Sequence, residues 1–212
     1  MTGDHAAYPA SPWLLHGQLW LSLFGVRRGE DPARPDRPAG LYGVALVSYE
    51  TPSPLVYGEL LVARAAAGRA QVTEIWVDSP ASRAGGRDLW AIPKELAELE
   101  QEHPPGATSW SVRTEASPVA SARFTAPRVA GPRVPFGFRT QQLREDGTLV
   151  VTPVRGTARV APVRATWGPP AGEVAHDPAP SWGDDRGPLA WLAGKRPLVS
   201  LRATDFVMRF GR

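Results

Sequence analysis

The chain of 212 residues contains no cysteine, which excludes a disulfide framework and a thiolate metal site. Its four histidines (His5, His16, His103 and His176) are too dispersed to suggest a shared ligand set, so no metal is expected. No stretch approaches the roughly 18 uninterrupted apolar residues that span a bilayer, and the N-terminus lacks a basic segment followed by an apolar run. The expectation is a cytoplasmic protein with no membrane partner. A basic run is also missing: 24 Lys and Arg are interspersed with 21 Asp and Glu, for a net charge of +3. That pattern offers a phosphate backbone little to hold, and nucleic acid is not expected as a partner. Lysine itself is scarce, with only Lys94 and Lys195 beside 22 arginines.

What is present is a β-forming pattern. The 42% apolar content is enough for a folded core, and the length suits one larger β-rich domain, 1–212, with residues 1–12 as a loose N-terminal arm. Strands are predicted over Leu19 to Val26, Leu41 to Tyr49, Tyr57 to Ala66 and Val72 to Val77. In the second half they are predicted over Ser109 to Thr114, Val119 to Ala126, Thr148 to Pro153, Thr157 to Thr166 and Leu198 to Phe210. Arg27 to Gly40 holds four Arg, three acids and three Pro, and reads as a solvated connection. Gly168 to Gly187 reads as a loop and Pro188 to Ala193 as one helical turn. Pro93 followed by KELAELEQE predicts a short helix, with Pro in its first turn and Leu96 and Leu99 on one face. The segment SPASRAGGRD before it reads as turn-forming. About ten strands against one helix indicate a β-dominated α+β domain with antiparallel pairing.

A lysine retained against an arginine background points to something a guanidinium cannot do. An amine that loses its proton in a dry site attacks a carbonyl and forms a Schiff base, whereas arginine stays charged. Lys195, in the turn-like AGKRP, reads as a surface residue. Lys94 follows the apolar run Leu89-Trp90-Ala91-Ile92 and falls at the N-terminus of the predicted helix, where burial and the helix dipole both disfavour a positive charge. Trp20, Trp76, Trp110 and Trp167 read as core. Trp90, close to Lys94, is the candidate dry wall that keeps the amine neutral.

The run from Gly86 to Leu96, GRDLWAIPKEL, resembles the signature of the acetoacetate decarboxylase superfamily: Gly-Arg-acid, several mostly apolar residues, then Pro-Lys and a leucine. Upstream, Tyr49-Glu50-Thr51 and Tyr57-Gly58-Glu59 are similar to the family's tyrosine and glutamate at a strand start, and Thr157 to Trp167 and Pro188 to Phe210 resemble its last strands. The resemblance implies antiparallel sheets forming a cone-like or barrel-like β structure around a small pocket, few short helices, no cofactor and a homo-oligomer. It places the Schiff base on Lys94, a property of the family in which the surroundings activate the amine. Glu59 becomes the group that moves protons or orients the substrate. Tyr57, Trp90 and Arg87 are the candidate substrate-binding residues, although Arg87 reads equally well as an anchor for its own turn.

The implied activity is a lyase acting on a small keto acid, by decarboxylation or by aldol condensation and dehydration. The alternative is a catalytically degenerate member that binds a small ligand or partner. Three departures separate the chain from the decarboxylases themselves. Glu95 stands where they carry a second lysine, Val44 where ungapped alignment puts a second glutamate, and Gly17 or Gln18 where they carry an arginine. Those missing charges argue against acetoacetate as the substrate.

Overall fold

A computed structural model describes residues 7–125, 131–168, 188–192 and 195–212. Strand β1 (Trp13–Val26) begins at Trp13 rather than Leu19 and is long enough to pair on both sides. It forms a meander with β2 (Gly40–Glu50), β3 (Tyr57–Ala66) and β4 (Arg69–Val77). On its other edge β1 joins β12 (Val199–Phe210), then β10 (Leu149–Pro162) and β9 (Arg133–Leu143). A two-residue parallel contact, Arg69↔Arg139 and Ala70↔Thr140, joins β9 to β4. That contact closes the seven strands into a barrel, so none of the seven is left as an open edge.

Beyond the short seam the Gln142 side chain takes over from the backbone. It accepts from Val72 N at 3.1 Å and donates to Val72 O at 2.9 Å. At Gly17, where the β1–β12 register shifts, a Cβ would lie 1.9 Å from Ser48 O and φ is +148°. Only glycine fits that bulge.

A second sheet, β6 (Glu98–Glu102), β7 (Ala107–Arg113), β8 (Pro118–Thr125) and β11 (Arg164–Gly168), packs on the outside of the barrel. Because side chains alternate along a strand, β1 sends Trp20 and Phe24 outward into this second core with Trp110 and Phe124. Leu15 and Leu19 go inward. Val44 is among the outward residues, fully buried in the second core. Gln18 bonds Glu50 and Arg202.

Several expectations are corrected. The predicted helix after Pro93 does not form: Lys94–Leu96 is a short strand, β5, paired in parallel with β4, and β6 follows. The helix lies upstream, α1 (Pro80–Trp90), in the segment read as turn-forming. Ser79 caps it by accepting from Ser82 N at 3.2 Å, and Pro80 takes the first position. The end is set by Ala91 in a left-handed conformation, with Ile92 N donating to Gly86 O at 3.0 Å. Strand β9, absent from the expected set, completes the barrel, while β10 runs unbroken through the two strands expected on either side of Arg155.

The connection Arg27 to Gly40 is not wholly solvated. Arg37 and Asp31 are 4% and 1% exposed, and Arg37 Nε donates to Asp31 Oδ2 at 2.6 Å while its terminal nitrogens bond Glu74 on β4. Half-exposed Arg34 also pairs with Glu74, so two acids and two arginines neutralise one another. Burial is tolerable on those terms alone. Of the N-terminal arm, the described residues are held: Tyr8 bonds Asp88 on α1, and Trp13 Nε1 donates to Pro9 O at 2.8 Å. Most of Gly168 to Gly187 lies outside the described residues. Ala190–Leu192 is a 3-10 turn, as expected of that stretch.

Candidate active site

Lys94 is 4% exposed and its ammonium meets three oxygens. Nζ donates to Glu59 Oε2 at 2.7 Å, to Ser82 Oγ at 2.9 Å and to Tyr57 OH at 3.3 Å. Three protons and three acceptors match the protonated amine. Tyr49 OH donates to the other oxygen of Glu59 at 3.0 Å, and its ring stacks on Tyr57 with centroids 4.4 Å apart. The cross-strand register supplies the arrangement. Tyr49 faces Tyr57, Val47 faces Glu59, and Glu59 faces Val77, two residues along β4 from the Ile75 that pairs with Lys94.

The Gly-Arg…Pro-Lys spacing now has a local cause. A Cβ on Gly86 would lie 2.7 Å from Lys94 Cδ, so α1 approaches the lysine stem only because residue 86 has no side chain. Arg87 Nε donates to Lys94 O at 2.7 Å and its outer nitrogen pairs with Glu95. Arg87 therefore ties down the backbone of the lysine, is half-exposed and does not line the cavity. The structure does not bring it to the amine, and its guanidinium is already partnered. Glu95 points outward, because neighbours on a strand face opposite ways.

Burial is present but neutrality is not. Burial pushes the Lys94 amine down, yet Glu59 and Tyr57 more than offset it, and the pKa stands above the ordinary value of 10.5. Burial, partly countered by the nearby ammonium, raises Tyr57 to about 12, and burial beside Glu59 holds Tyr49 far above the usual phenol value. At neutral pH the resting site is an ion pair flanked by two protonated phenols, Tyr49 donating to Glu59 and Tyr57 accepting from Lys94.

The amine and Glu59 open into a cavity of about 620 Å³ inside the barrel, which Tyr57 and Trp90 also line. Trp90 contributes to its end wall, against Trp13 (4.8 Å) and Phe210 (4.6 Å). Four of the five predicted site residues, Lys94, Glu59, Tyr57 and Trp90, thus share one cavity. Two neighbours of the pair escaped the sequence reading. Ser82 carried a signal only if α1 was recognised, since it lies one turn from Gly86 on the same face; Tyr49 was legible as the cross-strand partner of Tyr57. Among the described residues the lining has one carboxylate, Glu59, and one arginine, Arg69 at the rim, and between them β2 contributes Gly43, Ala45 and Val47. Val44 faces the other way, so its identity does not bear on the site.

Among the described residues no group of three or more His, Asp or Glu is placed to hold a metal, and no helix is long and apolar enough to cross a membrane. A sequence profile of the acetoacetate decarboxylase family matches residues 37–136, a span that contains Glu59 and Lys94. Over that span the chain is similar to the acetoacetate decarboxylase family. Its fold is that of acetoacetate decarboxylase from Legionella pneumophila, at 14% identity and a TM-score of 0.61 over 99% of this chain and 89% of that one. The enduracididine biosynthesis enzyme MppR complexed with pyruvate is similar at 17% identity and a TM-score of 0.58, covering 99% and 90%. An acetoacetate decarboxylase-like enzyme from Sphingomonas wittichii RW1 is 16% identical with a TM-score of 0.55, covering 95% and 91%. No curated protein matches by sequence.

Proposed function

We propose that this chain is a member of the acetoacetate decarboxylase superfamily and a cofactor-independent lyase that forms a Schiff base between Lys94 and a carbonyl substrate of the keto-acid class. The observation that carries the reading is the buried Lys94–Glu59 pair, 2.7 Å apart at the wall of the barrel cavity. Glu59 is placed to take the ammonium proton as substrate arrives, which frees the lone pair of Nζ to add to the carbonyl carbon. The carbonyl π electrons move to oxygen, which takes up a proton, and the carbinolamine loses water to give a protonated imine with Glu59 as counter-ion.

From a β-keto acid, the C–C bond to the carboxylate breaks and its electron pair flows towards the imine nitrogen. Carbon dioxide leaves, the enamine carbon takes a proton, and water hydrolyses the imine to ketone and free Lys94. From an α-keto acid with an adjacent CH, Glu59 removes that proton instead. The enamine then adds to an aldehyde and the aldol loses water. Tyr57 and Tyr49, kept protonated by their raised pKa values, orient Glu59 and the developing hydroxyl.

The test is incubation with acetoacetate or pyruvate, borohydride reduction, and peptide mass mapping. A mass gain on Lys94 that vanishes in Lys94→Ala supports the lyase. A specific observation favours the second reading, a silent binding protein: the resting ammonium is fully partnered and, among the described residues, no cation in the lining near Glu59 is left for a substrate carboxylate. Absence of label with every carbonyl compound tried, alongside ligand binding, establishes that reading. A single domain, a cytoplasmic location and a homo-oligomeric state complete the proposal, the last testable by light scattering on the purified chain.

A further inference from the structure

The cavity is far larger than a three- or four-carbon keto acid requires. Its volume of about 620 Å³ falls within the roughly 300–1,000 Å³ that encloses drug-sized ligands. It is also directional. At one end Trp13, Tyr57, Glu59, Trp90 and Lys94 are each no more than 6% exposed. At the other the lining reaches the exposed β3–β4 turn at Ala67 and Gly68, with Leu41 and Phe138 both 38% exposed. The reactive pair is thus at the blind end and the opening is at the rim.

Between the two the wall is apolar. Leu19, Leu21 and Leu23 on β1 line the lumen with Leu61 and Ala63 on β3, two strands along the ring, and Gly43, Ala45 and Ala65 leave the bore wide. The three inward leucines remain partly exposed, whereas the outward Trp20, Ser22 and Phe24 are buried. The outer face of β1 is filled by the second sheet and the inner face is lined but unfilled. An empty apolar bore forfeits dispersion contacts along its whole length, so its retention makes sense if something apolar occupies it.

A second observation marks the far end. Thr140 is 4% exposed, lines the cavity, and its hydroxyl has no hydrogen-bond partner among the described residues. It pairs with Ala70, five ladder positions from the Ile75 that pairs with Lys94, or about 16 Å at the usual strand rise, roughly the extended length of a dozen carbons. Among the described residues the only cation in the lining besides Lys94 is Arg69, at that same rim.

We infer that the substrate is an elongated apolar carbonyl compound. Its carbonyl lies at Lys94, an aliphatic chain of about ten carbons or its equivalent fills the lumen, and a polar terminus reaches Thr140 at the rim. The placement of the carbonyl rests on the lyase reading; the elongated apolar occupant does not. Acetoacetate and pyruvate are too short to use the bore.

The experiment compares borohydride trapping at equal free concentrations of 2-butanone, 2-hexanone, 2-octanone and 2-decanone, with thermal shifts by the unreactive 1-butanol and 1-decanol in parallel. Each buried methylene is worth about a fourfold gain in occupancy, so labelling at limiting ketone rises at least about 100-fold from four to ten carbons. Ala63→Phe on β3 and, independently, Leu21→Trp on β1 obstruct the bore and collapse the ten-to-four-carbon ratio towards one. A ratio below about tenfold in the unmodified protein, or one indifferent to both obstructions, overturns the inference. If no ketone labels Lys94 but 1-decanol alone raises the melting temperature, and both obstructions remove that rise, the lyase reading fails and the elongated occupant stands. No label and no length dependence sinks both.

Discussion

At the scale of single residues, Lys94 shows how far desolvation alone can mislead. A buried amine is expected to lose its proton, but here Glu59 at 2.7 Å outweighs burial and the amine is held above its ordinary value. Two consequences follow in opposite directions. Because only the free amine attacks a carbonyl, the initial rate of imine trapping rises with pH across the range from 7 to 10, measured by borohydride quench at fixed substrate. Because a raised lysine pKa stabilises the fold below the unfolded value and the contribution is lost as pH climbs through the folded value, the pair's stabilisation is intact at neutral pH and fades only in strong alkali. Urea unfolding at pH 7 therefore shows Lys94→Met, which strands the Glu59 carboxylate, less stable by about 3–5 kcal/mol. The double variant Lys94→Met with Glu59→Leu recovers most of that loss. A single variant as stable as the parent contradicts the ion pair.

At the scale of elements, the sequence placed the helix one segment too late. Good helix formers after Pro93 outweighed the capping signals of Ser79 and Pro80, yet Lys94–Leu96 pairs with β4. The β4 edge offered backbone partners, and tertiary context overrode intrinsic preference. The correction matters to the site, since α1 brings Ser82 and Gly86 against the lysine and Arg87 ties its carbonyl. Gly86→Ala puts a methyl group 2.7 Å from Lys94 Cδ. The lysine must shift from Glu59, and trapping at Lys94 drops by at least about tenfold, a loss of roughly 1.4 kcal/mol of positioning. Far-ultraviolet circular dichroism of that variant stays near the parent's because the helix backbone tolerates alanine. Equal trapping rates in the two proteins refute the role given to Gly86.

At the scale of the whole molecule, the seven-strand ring gives the barrel an inside and an outside that compete for the same apolar strands. The second sheet fills the outside, which leaves the inside free to be a cavity. The connection Arg27 to Gly40 is fastened to β4 by buried Arg37 between Asp31 and Glu74. Arg37→Met leaves two acids without their central cation and costs about 3–5 kcal/mol in urea unfolding at neutral pH. Imine trapping at 20 °C is retained, since Glu74 and Arg37 are not part of the lining. A loss of trapping in folded Arg37→Met shows that the cluster reaches the site after all.

By itself the sequence determined the β-rich class, most of the strands and the lysine to watch, because alternation of apolar residues and the choice of lysine over arginine are local chemical facts. Only the tertiary structure decided that Ser82 joins the site, that Arg87 turns away from it, that Val44 faces outward and that Lys94 rests as an ammonium. Each depends on which face of a strand meets which neighbour across a closed ring. Those distances are set between residues far apart in the chain, and no local pattern records them.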